Sequence, residues 1–377
     1  MIEIDRRHFL LSGAALGCSA LGTTTLLSAT AAAAAEAGLG EIAAKKGILF
    51  GSWVRGSDID KDRALTETVK RECKVVVSAM EMFWDMNTPR PGAMNYAKAD
   101  AMIAWCEANR LKVRGHNLLW YKRTPVWWKQ ITDLKEARQQ VIDHISETCR
   151  HFAGRVHSWD VVNEALRPKD KRPDGLRRPI LLERFGQDYL AWSFQTAREA
   201  DPKAQLVYNE ANFEYELPDQ IARRKAMLGL LDWFKAKNVP VDAIGVQSHL
   251  RTEWQPKFDA KAYSTFLKEI SDRGVEIVIS EMDVVDRGAP GEIKARDAEV
   301  AATYKTFLDV ALENPAVKTV ITWGLSDKDS WIVRGQEESF VRPDGLTPRP
   351  LLFDKEYHPK AAYAAMAEAF RAAPSRD

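Results

Sequence analysis

Beyond Gly47 the chain keeps repeating one pattern: a short β-branched or apolar run that ends in polar residues, then an amphipathic stretch with helical periodicity. Eight such runs occur, Ile48 to Val54, Lys74 to Ala79, Lys112 to Leu119, Val156 to Asn163, Gln205 to Tyr208, Ala243 to His249, Glu276 to Glu281 and Thr319 to Trp323. Between them Ala97 to Asn109, Leu134 to Phe152, Leu181 to Ala200, Asp219 to Lys237, Ala260 to Arg273 and Ile293 to Leu312 read as helices, and a last helix begins near Pro359. Strands joined through helices pair in parallel, with the helix as the crossover. Eight units in succession predict an α/β fold of the closed (β/α)8 kind, the TIM barrel, rather than an open doubly wound sheet. No Pro-, Gly- or Ser-rich linker and no internal repeat divides residues 36–377, so they read as one domain.

Residues 1–35 read differently. Asp5-Arg6-Arg7-His8-Phe9-Leu10-Leu11 is a twin-arginine pattern, followed by a Gly/Ala-rich apolar run and small-residue cleavage sites near Ala31 to Ala35. Gly13, Gly17 and Gly22 interrupt the run, which favours a cleaved export signal over a spanning helix. The expectation is a periplasmic or secreted protein with no stable membrane span in its mature form. Cys18 sits in Ala-Leu-Gly-Cys, a poor match to a lipid-attachment sequence. Cys73, Cys106 and Cys149 remain, an odd number, and lie on helical stretches where small buried thiols are the plain reading.

A formal net charge of +1 gives no electrostatic footing for nucleic acid. Neither a Gly-rich dinucleotide turn nor a phosphate-cradling loop follows any strand, so no cofactor is expected. Twelve tryptophans, many near strand ends, offer flat faces on which sugar rings stack.

In a parallel barrel the strand C-termini form the reactive face. The fourth run, Trp159-Asp160-Val161-Val162, ends in Asn163-Glu164, and the seventh ends in Ser280-Glu281-Met282-Asp283. A carboxylate in such a place is paired, solvated or used. Two glutamates facing each other across the mouth suit glycoside hydrolysis, in which one protonates the leaving oxygen and the other attacks the anomeric carbon or activates water. Two structural carboxylates are the plain alternative. His116 and His249, also at strand ends, raise metal chemistry, but strand one offers Phe50-Gly51-Ser52-Trp53 where a His-x-His pair would be wanted. No run ends in the lysine of a Schiff-base enzyme. Trp84, Trp120, Trp323 and Trp331 are candidate ring walls, and Asn163, Asn209 and Gln247 candidate partners for sugar hydroxyls.

These stretches resemble glycoside hydrolase family 10, the endo-1,4-β-xylanases. WDVVNEA at Trp159 to Ala165 is similar to its acid/base motif and ISEMDV at Ile279 to Val284 to its nucleophile motif. RGHNLLW with Pro125 and Trp127, VYNEANFE at Val207 to Glu214, IGVQSHL at Ile244 to Leu250 and TWGLSDKDSW at Thr322 to Trp331 follow in the family order, over residues 45–372. The resemblance implies that Glu164 is the general acid/base, Glu281 the nucleophile and Asn163 the ligand of the 2-hydroxyl. It also implies that His249 hydrogen-bonds Glu281 with Asp283 behind it, and that His116, Trp120, Gln247, Trp323 and Trp331 line the sugar site before the scissile bond. Anomeric retention follows, with carboxyl groups about 5 to 5.5 Å apart and no metal. Glu164 must be protonated and Glu281 ionised when substrate arrives, and mutual repulsion helps raise the acid. Xylan is the implied partner and the monomer the implied state. The alternatives are a retaining β-glycosidase on a decorated or different β-glycan, and a carbohydrate-binding barrel with weak turnover.

Strand two departs from the family. Where Pro-Glu-Asn and then Met-Lys-Trp are common, this chain reads Ser78-Ala79-Met80-Glu81-Met82-Phe83-Trp84, so Ala79, Met80 and Phe83 occupy positions that bind the sugar one further from the cleavage point. Hydrogen bonds of about 0.5 to 1.5 kcal/mol each are lost there, which weakens the hold on an undecorated xylose. Tyr121, where the family often has a second His, is a milder departure.

Overall fold

A computed structural model of the chain describes residues 37–59, 61–78, 80–335 and 337–376; the expected export signal and Ala79 lie outside the described residues. Eight parallel strands form the ring: β1 (Leu49–Val54), β2 (Val75–Ser78), β3 (Lys112–Gly115), β4 (Ser158–Asn163), β5 (Gln205–Glu210), β6 (Ala243–Val246), β7 (Glu276–Val285) and β8 (Val317–Thr322). Each pairs with its sequence neighbour, and β8 pairs with both β7 and β1, which closes the barrel. Two short segments raise the rim: Leu119–Trp120 pairs with β4 and His249–Arg251 with β7. β3 and β6 therefore stop at Gly115 and Val246, and the polar residues His116, Asn117, Gln247 and Ser248 sit in the gaps before pairing resumes.

Helices fill the crossovers. Asp133 caps Leu134–His151 by accepting from Glu136 N at 2.7 Å, and Asp259 caps Ala260–Ser271 by accepting from Ala262 N at 2.9 Å. The stretch expected as one helix over 181–200 is two, Ile180–Phe185 and Asp188–Ala200, parted at Gly186 with φ +63°. Arg63–Glu72, between β1 and β2, buries only Leu65, Thr68, Val69 and Glu72, so its apolar signal in the sequence is thin. Cys73, Cys106 and Cys149 are buried free thiols, and burial pushes the Cys106 thiol up to about 12.

Period-two alternation divides a lumen from a helix-facing layer. Val76 packs in the large core, whereas Val75 and Val77 cluster with Ile321. Val207, Ala243 and Val278 cluster likewise, while Leu206, Tyr208, Ile244, Ile277 and Ile279 join the large core. The alternation breaks in three places: β8 passes through Val317 to Thr319 opposite Ile277 and Val278 of β7, and two further breaks lie nearer the strand C-termini. β4 passes through Asp160 to Val162 opposite Val207 and Tyr208 of β5, and β7 passes through Ile279 to Met282 opposite Val320 to Thr322 of β8. Each is a β-bulge, one residue more on one strand than on its neighbour, and each reverses the in–out phase beyond it.

Candidate active site

The bulges decide which side chains reach the mouth. Along β4, Val161 and Val162 both pack in the outer core, which frees Asn163 to turn to the lumen. Along β7, strict alternation would set Glu281 with Ile277 and Ile279 against the helices. Instead Ser280 and Glu281 both bond Asn209, and Met282 takes the outer position.

Asn209 of β5 is the hub. Fully buried, it donates through Nδ2 to Glu281 Oε1 at 2.6 Å and to Asn163 Oδ1 at 2.9 Å, while its Oδ1 accepts from Ser280 Oγ at 2.6 Å. Gln247 Nε2 lies 3.3 Å from Asn163 Oδ1 and 3.5 Å from Glu164 Oε1. One chain of amides thus links the two glutamates. Asn209 was expected to bind sugar; the structure instead commits its side chain to the protein, and to Glu281 in particular.

Glu281 is 5% exposed and held from a second side by His249, whose Nε2 is 3.3 Å from Oε2 and whose Nδ1 is 2.9 Å from Asp283 Oδ1. Trp331 Nε1 donates to the other Asp283 oxygen at 2.7 Å. Burial pushes the His249 imidazolium down, but the charge and hydrogen bonds of Asp283 and Glu281 outweigh it and bring the group up to about 10. Burial also works against the Glu281 carboxylate. The hydrogen bond from His249, the fields of His116 and His249, and the amide of Asn209 reverse that and hold it below the usual carboxylate range. An ionised, rotationally fixed carboxylate is what a nucleophile at carbon requires.

Glu164 stands just past the end of β4 with φ +57°, a left-handed backbone uncommon for a residue with a side chain. Its N–H donates to Asn209 O at 2.9 Å, and Arg177 Nε donates to its carbonyl at 2.9 Å. The Arg177 guanidinium is 3.9 Å from the carboxylate and lies over the Tyr121 ring at 4.3 Å, so the departure at Tyr121 bears on the acid's surroundings. Buried Glu210, at the end of β5, accepts from Leu166 N at 2.8 Å and pairs with Arg223 at 3.1 Å, fixing the loop after Glu164. The side chain of Glu164 keeps partial exposure, open to the mouth.

The floor and walls are aromatic. His116 is fixed through Nδ1 to Asp160 at 2.8 Å, and Asp160 in turn pairs with Arg114. The Trp323 ring lies 5.1 Å from His116, 6.5 Å from His249 and 5.7 Å from Trp53. Trp331 lies 5.1 Å from His249, and Trp120, partly exposed, 6.4 Å from His116. Phe83 completes this side, 5.8 Å from His116 and 5.9 Å from Trp120, with the Arg123 guanidinium over its ring at 4.5 Å. Trp84, expected as a wall, is not one: it is 2% exposed and stacks on buried His144 at 4.7 Å. Adjacent Phe83 and Trp84 point opposite ways, and the core takes the larger ring.

Sequence reasoning passed over Trp53 as a wall, although the strand-end rule applied to the other tryptophans would have found it. Arg177 and Ser280 carried no such signal. Both strand-end histidines have carboxylate partners, and no group of three or more His, Cys, Asp or Glu in a metal-holding arrangement is found among the described residues.

Comparison with known proteins bears on the same arrangement. The model of glycosyl hydrolase family 10 matches residues 38–369. A β-1,4-xylanase of Dictyoglomus thermophilum is 32% identical over 307 residues, covering 78% of this chain and 81% of the relative. Endo-1,4-β-xylanase B of Thermotoga neapolitana is 30% identical over 305 residues, covering 80% and 82%. Native xylanase 10B from Thermotoga maritima has a solved structure with a TM-score of 0.78 and 30% identity, covering 88% of this chain and 98% of that one.

Proposed function

This chain belongs to glycosyl hydrolase family 10, and from that premise we propose that it is a retaining endo-1,4-β-xylanase, cutting internal β-1,4 linkages of xylan by double displacement. Glu164 gives its proton to the glycosidic oxygen as Glu281 attacks the anomeric carbon, forming a glycosyl ester and releasing the chain end. The ester cancels the charge on Glu281. Glu164, now ionised, takes a proton from the incoming water, whose oxygen attacks the same carbon from the vacated face, breaking the ester bond so that Glu281 leaves as a carboxylate and the original configuration is restored. Asn163 is assigned to the 2-hydroxyl. His116, Trp120, Gln247, Trp323 and Trp331 line the site before the scissile bond, while His249 and Asp283 orient the nucleophile.

The observation that carries this reading is the double clamp on Glu281, from Asn209 on one oxygen and His249 on the other, which favours its ionised form. NMR of the products as they form on xylooligosaccharides tests it: β-anomers should appear first and then mutarotate. First-formed α-anomers would refute the retaining mechanism, and wild-type protein that binds xylan without releasing reducing sugar would make it a lectin.

Apolar Met80 and Phe83 support a weaker hold on plain xylose at the subsite beyond the reacting sugar. Comparable rates on xylotriose and xylohexaose with strong binding on that side would count against this. The Arg6-Arg7 pattern supports export to the periplasm or beyond, and among the described residues no helix is long and apolar enough to cross a membrane. The enzyme is proposed to act as a monomer, which sedimentation would check.

A further inference from the structure

We propose that a cavity behind the β1 and β2 loops receives a neutral, aryl-acylated sugar branch of the glycan whose backbone lies in the neighbouring cleft; the inference rests on the xylanase reading. The cavity holds about 550 Å³ between the loop after β1, the loop after β2 and the helix Ala97–Ala108. That is within the roughly 300–1,000 Å³ of small-ligand clefts, and enough for a ring together with the sugar that carries it.

It adjoins the cleft. Arg55, on its wall, lies over the Trp53 ring at 5.7 Å, and Trp53 is 5.7 Å from Trp323 of the sugar site. Glu81 ties the two loops into one rim, accepting from Gly56 N at 2.8 Å, Met80 N at 3.0 Å and Ser78 Oγ at 3.0 Å. A chain in the cleft that passes Phe83 and Met80 therefore presents its side groups to this mouth.

The lining names the occupant. Met80, Met86 and Met102 face the space together with Trp105. Polarisable thioethers and an indole make their best contacts with an aromatic ring. Charge points the same way. Arg55 and Lys98 are matched by Glu81 and by Asp58, 3.8 Å from Arg55, so no net positive charge awaits a uronate.

The test compares kcat/KM on feruloylated arabinoxylan oligosaccharides with the same oligosaccharides after de-esterification, and with glucuronoxylan oligosaccharides of equal length. The acylated substrate should be preferred by about tenfold. Ala101→Trp, on an exposed helix position lining the cavity, should fill it and erase the ratio. Met86→Glu, on the opposite wall and 42% exposed, gives an independent check should the first variant fold poorly. Equal rates with and without the acyl group, a preference for the uronate, or a preference that survives both substitutions overturns the proposal. Should no xylan be cleaved at all, the catalytic reading fails separately, and calorimetry of the Glu281→Ala protein with the acylated and de-esterified oligosaccharides still decides whether the cavity binds.

Discussion

The two sides of the barrel mouth are built on opposite terms. Around β4 to β7 nearly every side chain is polar and already bonded: Asn209 holds Glu281 and Asn163, His249 holds Glu281, and Asp283 holds His249. Around β1 and β2 the wall is apolar, with Met80 and Trp53 partly exposed, Phe83 buried against His116 and Trp120, and few fixed donors. One side is committed to a single arrangement of charge before any ligand arrives. The other leaves shape and polarisability to select what fits.

The contrast can be broken first at its polar side. Glu281→Ala, and separately Glu164→Ala, should lower kcat on xylan by about a thousandfold or more, with binding retained, as read by reducing-sugar release and affinity electrophoresis. A modest loss in both would mean that the bonded network is only structural. Asn209→Ala removes a donor to an ionised carboxylate, worth about 1.5–3 kcal/mol, so kcat should fall roughly ten- to a hundredfold. A fall in thermal stability alone, with kcat intact, would detach Asn209 from the chemistry.

A smaller effect concerns pH. His249→Gln removes a positive partner of Glu281, so the nucleophile rises towards its ordinary value and the acid limb of kcat/KM should move to higher pH. The same variant tests stability. The imidazolium, raised from 6.5 to about 10, contributes fully below 6.5 and loses its contribution as pH climbs through about 10. Wild type should therefore lose melting temperature over that window more steeply than the variant. The smallest change tests the apolar side: Met80→Asn with Phe83→Lys should tighten plain xylohexaose by about three- to tenfold in KM with kcat nearly constant. No gain would show that the apolar wall costs nothing with undecorated chains.

The barrel and its reactive face were legible because runs such as Lys74 to Ala79 and Gln205 to Tyr208 are short, β-rich and followed by helix. The two glutamates were legible from their place at strand ends. What could not be read was direction. Trp84 and Phe83 are neighbours with similar chemistry, and only packing against His144 decides that the tryptophan turns inward. Asn209 was found but given the wrong partner, since nothing in VYNEANFE says that Ser280 and Glu281 both stand across from it. Arg177 reaches Glu164 from a loop with no periodicity at all.

The bulge on β7 has a bearing on how such a site can be lost. Its extra residue works like a frame setting for the strand: everything before it reads in one phase and everything after it in the other. Excising Ser280 would let Glu281 take its lumen place, with Met282 outside and Asp283 inside as before, and β7 would pair regularly with β8. What would go is the second of two consecutive lumen-facing side chains, and with it the hydroxyl that Asn209 Oδ1 accepts. A regular strand offers the mouth every other side chain, so the bulge sets two polar groups side by side at the place where the nucleophile needs a neighbour.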